Sequence, residues 1–118
     1  MTAETHPKFV YKILPSAPPS PFPKENPLSE LDKKDGFIHL STGIQVPATS
    51  ALFFDSASSL WVAKLRFADF ASDIKWEGGF PHLYGNFGSD NVDSVHQFDK
   101  VEGQNWAEVL EHSTWLEE

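Results

Sequence analysis

A chain of 118 residues with ten Phe, four Trp and 40% hydrophobic content can bury one core of its own, so residues 1–118 read as a single domain. The absence of cysteine removes disulfide frameworks, thiolate metal sites and cysteine nucleophiles. A formal charge of −8, with Arg66 the single arginine, opposes nucleic acid and anionic membranes as partners; with no basic leader and no run of about 18 apolar residues, a soluble cytoplasmic protein is expected, the nucleus also open.

Residues 9–14, Phe-Val-Tyr-Lys-Ile-Leu, are β-formers that stop at Pro15, and their near-continuous apolar character predicts a central strand. Six of the nine prolines fall in 15–27, a stretch that holds neither a helix nor a paired strand and reads as an extended surface loop. Its two PxxP spacings, Pro15 to Pro18 and Pro18 to Pro21, also fit a polyproline ligand, although such spacings arise cheaply from composition. Residues 28–34 predict one or two helical turns, and Asp35-Gly36 a turn into the next strand.

Gly36-Phe37-Ile38-His39-Leu40-Ser41-Thr42 is the most informative stretch. In an extended segment, side chains alternate between faces. Ile38 and Leu40 then point to the core, while Phe37, His39 and Ser41 share the other side. Thr42 is a candidate cap for a helix that begins near Val46 or Pro47 and ends around Phe54-Asp55. Strands follow at 60–67, 74–77, 80–84 and 92–98, with Gly78-Gly79 between the second and third able to adopt positive φ. Asn105 with Glu108 forms a capping box for an amphipathic C-terminal helix over 105–117, whose Trp106 and Trp115 dock on the domain or cover a partner.

His39 and His82 each sit on the polar-bearing side of a short apolar segment, a placement that suits proton transfer or hydrogen bonding to a ligand, as well as a half-buried structural role. Zinc would require His39, His82 and His96 to converge with Asp35 or Glu77, and the spacing matches no ligand motif, so no metal is assigned. A Ser41, His82, Glu77 triad lacks a sharp nucleophile turn. Phe80 and Tyr84 flank His82 as candidate platforms for a flat ring. Glu77, beside Trp76, reads either as a carboxylate of raised pKa or as a solvated turn residue.

The motifs Gly36 to Thr42, Gln45-Val46-Pro47 with Thr49, Trp76-Glu77, and Phe80-Pro81-His82-Leu83-Tyr84-Gly85, in this order, resemble the domain-of-unknown-function family 952 over roughly residues 9–98. That family resembles a small ADP-ribosyltransferase-like fold. The resemblance implies an α+β domain with a split antiparallel β-sheet, one or two short helices and a C-terminal helix. It further implies a cleft that holds NAD in active relatives. Carried over, His39 with Ser41 and Thr42 matches the element that grips the nicotinamide ribose and amide, and His82 and Tyr84 line the opposite wall. Leu40 stands where active relatives have glycine, and residues 92–98 carry no glutamate. One arginine on an acidic chain argues against the RNA 2′-phosphotransferase relatives.

The sequence therefore points to a small-molecule cleft for a nucleotide or NAD-like ligand, with no established cofactor and NAD as a candidate substrate. The expected catalytic set is His39, His82 and Glu77, and the ligand-contacting set is Ser41, Thr42, Gln45, Phe80 and Tyr84. If enzymatic, the chemistry is transferase or glycohydrolase action on NAD. The alternative is a non-catalytic module that binds a protein partner through 15–27 or 105–117.

Overall fold

The computed structural model describes residues 7–14, 16–18, 22–26, 29–111 and 113–117. Two antiparallel three-stranded sheets and a few short helices make up a mixed α+β fold. The strands are β1 (Phe9–Leu14), β2 (Ile38–His39), β3 (Ser59–Arg66), β4 (Ile74–Glu77), β5 (Phe80–Leu83) and β6 (Val92–Asp99). The helices are α1 (Glu30–Asp35), α2 (Gln45–Phe53) and α3 (Trp106–Leu110). One sheet runs β1-β3-β6, the other β2-β5-β4. Among the described residues no helix is long and apolar enough to cross a membrane.

β1 lies at the edge of its sheet, whereas its apolar composition predicted a central strand; β3 takes that place. The composition has another cause. Phe9, Tyr11 and Ile13 face one core with Leu60, Val62, Phe98, Trp106 and Leu110, while Val10 faces a second core with Ala63, Leu65, Ile38, Leu40 and Leu83. A strand covered on both faces is apolar throughout even at an edge.

The Gly36 to Thr42 stretch is shorter as a strand than expected, because it changes sheets. Ile38 and His39 pair with Leu83 and His82 of β5, and then Ser41 exchanges backbone hydrogen bonds with Tyr11 of β1, at 2.8 and 2.9 Å. This crossing stitches the two sheets together, and the alternation holds through it: Ile38 and Leu40 are buried in the core shared by both.

Reciprocal caps fix the helices. Thr42 Oγ1 accepts from Gln45 N and Gln45 Oε1 accepts from Thr42 N, while Asn105 Oδ1 accepts from Glu108 N and Asn105 Nδ2 donates to Glu108 Oε1. The C-terminal helix closes at Leu110, well short of 117. Beyond it the tail turns back onto the β1-β3-β6 sheet. Trp115 donates to Ser94 and packs on Tyr11, and the Tyr11 hydroxyl bonds both N–H and carbonyl of Glu117. Trp106 and Leu110 are fully buried, Trp106 donating to the carbonyls of Phe54 and Ala57, so the apolar face of α3 is spent inside the domain. Burying such an indole stabilises by roughly 3 kcal/mol.

Candidate functional site

The β4–β5 hairpin and β2 carry the histidines. Gly78 and Gly79 have φ of 60° and 84°, the two-residue turn geometry that fits a tight hairpin. The register that follows places His82 of β5 directly opposite His39 of β2, with ring centroids 5.7 Å apart. Phe37 lies against both rings and stacks on His82 at 4.2 Å.

Each imidazole has a carboxylate partner. His82 Nδ1 lies 2.8 Å from Glu77 Oε1, which also accepts a 2.7 Å hydrogen bond from the Tyr84 hydroxyl. These bonds from His82 and Tyr84 hold the Glu77 carboxyl below the usual carboxylate range, so the alternative of a raised pKa is incorrect. The same contact pushes the Tyr84 phenol up. His39 Nδ1 lies 2.6 Å from Asp32 Oδ1, and its Nε2 lies 2.9 Å from Asp35 Oδ2.

Asp32 is the centre of this second cluster and carries no signal in the sequence beyond its charge. It is 2% exposed and joins Lys12 Nζ at 2.8 Å, while its Oδ1 also accepts from His39 N. Burial pushes its carboxyl up, but the bonds from His39 and Lys12 outweigh this and leave the pKa below the ordinary value. Lys12, 8% exposed, also donates to the His39 carbonyl. A lysine in an otherwise apolar strand demands a buried counter-charge, and that demand was the one available hint.

A cavity of about 870 Å³ opens beside these groups. Lys12, Asp32, His39 and His82 supply its titratable groups, Ser16, Asn26, Ser29, Ser41 and Thr49 add neutral polar ones, and Leu14, Phe22, Leu40, Phe53, Phe54 and Phe80 give it apolar walls. Of the residues expected to form the site, His39, His82, Ser41 and Phe80 line this cavity. Glu77 and Tyr84 stand behind His82. Thr42 and Gln45 are occupied by the α2 cap, and Gln45 Nε2 donates to the Gly79 carbonyl at 2.7 Å, tying the helix start to the hairpin tip. Among the described residues no hydrogen bond links Ser41 to His82, and His96 sits on β6 in the other sheet against Trp115. Neither the serine triad nor the three-histidine set is assembled.

Of the proline loop, Pro18, Phe22 and Pro23 line the cavity, so it walls the site. The PxxP ends at Pro15 and Pro21 lie outside the described residues.

The family model for "Protein of unknown function (DUF952)" matches residues 22–95, more than half of the chain and inside the expected 9–98. The chain belongs to this family. A DUF952 fold of this kind is similar to the X-ray crystal structure of Protein CC0527 from Caulobacter crescentus, at 29% identity and a TM-score of 0.68, over 82% of this chain and 91% of that one. The solution NMR structure of CC0527 is also similar, at 26% identity and a TM-score of 0.69, over 92% and 98%. No curated protein matches the chain.

Proposed function

We propose that the cavity binds a nucleotide-like small molecule, with NAD the first candidate, and that His82, braced by Glu77, handles protons at the bound ligand while His39 is held in place by Asp32 and Asp35. The observation that carries this reading is the placement of His39 and His82, each braced by a carboxylate, on the wall of one largely apolar cavity. A carboxylate on one ring nitrogen orients the imidazole and fixes its tautomer, leaving the other nitrogen for a ligand. His82 meets this description with Glu77 behind it. Two antiparallel sheets joined at the Ser41 crossing are compatible with the split sheet of an ADP-ribosyltransferase-like domain.

The reaction that suits this arrangement is hydrolysis of an N-glycosidic bond. Water attacks the anomeric carbon, the bond to the ring nitrogen breaks, the ring departs with the electron pair, and His82 takes the proton from water. His39, with Asp32 at one ring nitrogen and Asp35 at the other, gives the ribose a fixed ring to pack against rather than a free hydrogen-bonding nitrogen. Glu77, away from the cavity lining, is a positioning residue for His82. Phe80, 36% exposed at the cavity wall, offers a face to the ring. The rival reading is an interaction module that uses the proline loop 15–27 or the segment 105–117; for the second of these, Trp106 and Leu110 are already buried in the domain.

The test is a titration with NAD followed by two-dimensional NMR, together with an assay for released nicotinamide. Binding moves signals of residues 36–41 and 77–85. No movement at millimolar NAD or a related nucleoside would refute a ligand site there.

A further inference from the structure

We infer that the outer face of α2 docks a second copy of this chain, whatever ligand the cavity takes. The chain carries a formal charge of −8 and is 22% charged, yet no Asp, Glu, Lys or Arg occurs between Asp35 and Asp55. α2 lies inside this run. Its Val46 and Ser50 turn inward and are buried, whereas Ile44 at the N-cap, Leu52 and Phe53 are 75%, 74% and 71% exposed. A surface helix ordinarily keeps a charged outer face, and one that is apolar on both faces is normally covered.

The shape of this face is self-complementary. Ile44, Ala48 and Leu52 follow one another at four-residue steps and form a ridge along the helix. Its flank, at Ile44, Pro47 and Ala48, is one wall of a groove of about 460 Å³, and Ala107, Glu111 and Leu116 form the other. Among the described residues Glu111 is the one charged member of that lining. A two-fold pair uses the same patch twice, so a ridge with a groove beside it lets each copy fill the other.

Charge identifies the occupant. Two chains of −8 repel wherever their carboxylates meet, and α2 offers them a face to which its own sequence contributes no charge. A partner of opposite sign would be drawn instead to the acidic surface. Three large side chains at this exposure present roughly 400 Å², or about 800 Å² for two copies, and the groove walls add to it. That total lies at the low end of specific interfaces, so the dimer is weak and concentration-dependent. Thr49 and Phe53 also line the large cavity, which puts the docked copy at its edge.

Sedimentation equilibrium of the whole chain from about 10 µM to 1 mM, with two-dimensional NMR spectra over the same range, is the test. The mass is expected to rise toward that of a dimer, with dilution shifts confined to 44–53, 107–111 and 116. Higher salt should strengthen the pair by screening its net repulsion. Leu52→Glu should weaken association at least about tenfold by setting like charges into an apolar contact, while Val95→Glu on β6 leaves it intact. Both positions are exposed, and urea midpoints at low concentration check that each variant folds. A monomer throughout the range, dilution shifts centred elsewhere, a dimer that salt dissolves, or equal association of the two variants overturns the inference. The dilution shifts of the unaltered protein decide the matter even if a variant does not fold.

Discussion

Replacing Asp32 with alanine tests the buried cluster on which the site is built. The substitution removes the acceptor of a 2.8 Å bond from Lys12 Nζ, the 2.6 Å partner of His39 Nδ1 and the acceptor of a 3.2 Å bond from His39 N. Lys12 stays buried with the His39 carbonyl as its remaining acceptor. Breaking one side of a buried pair costs about 3–5 kcal/mol, mostly from the charge left behind. Exchanging both partners for apolar residues, Lys12→Met with Asp32→Leu, removes that charge and should leave about 1–3 kcal/mol for the orphaned His39 amide. Urea unfolding of the single and double variants measures the difference. A loss below about 1 kcal/mol for Asp32→Ala, or a double variant no more stable than the single, would refute the buried-charge explanation.

The pH dependence follows from the same residue. Because the folded Asp32 carboxyl lies below its ordinary 3.8, its contribution is fully present above that value and disappears as pH falls through the lowered folded pKa. Asp32→Ala should therefore flatten the acid limb of a stability–pH curve measured by urea midpoints. At the hairpin, Tyr84→Phe should let the Glu77 carboxyl move up toward 4.5 in a carbon-13 titration, and Glu77→Gln should bring the Tyr84 phenol down toward 10.0 in an absorbance titration. Tyr11→Phe removes the hydroxyl that bonds the Glu117 backbone at 2.6 and 2.9 Å; a loss of about 1–2 kcal/mol in urea unfolding is expected. At Gly88 a Cβ would overlap the carbonyl of Lys24, where residues 22–26 cross residues 87–89 through the Asn26–Phe87 and Ser89–Pro23 bonds. Gly88→Ala should cost about 1–3 kcal/mol and loosen the wall formed by Phe22 and Pro23, seen as weaker ligand binding.

Local signals read well from sequence because their causes are local. The β1 boundaries, the α2 span and the Asn105–Glu108 capping box depend on residues a few positions apart, and the structure reproduces them. What depends on distant partners read less well. β1 looked central because both of its faces are covered, which composition does not distinguish from strand pairing on both edges. The C-terminal helix is shorter than its local pattern predicts because the tail returns to the β1-β3-β6 sheet, where Trp115 packs on Tyr11 and donates to Ser94, partners far away in sequence.

The site divided along the same line. His39 and His82 stood out because a titratable residue inside a short apolar run is conspicuous, and the β2–β5 register sets them face to face. Asp32 did not stand out. In the charged run Glu-Leu-Asp-Lys-Lys-Asp of α1 it looks like one more solvated carboxylate, and its burial follows from Lys12, twenty residues away on another element. Thr42 and Gln45, next to His39 in sequence, went instead to the reciprocal cap that starts α2.

The most direct test of the histidine-walled cavity is to follow the imidazole signals of His39, His82 and His96 during titration with NAD and nicotinamide riboside. His96, on the other sheet against Trp115, serves as the internal control. Binding in the cavity predicts that His39 and His82 shift together along one saturation curve while His96 stays fixed. Equal movement of all three, or movement of His96 alone, would contradict it.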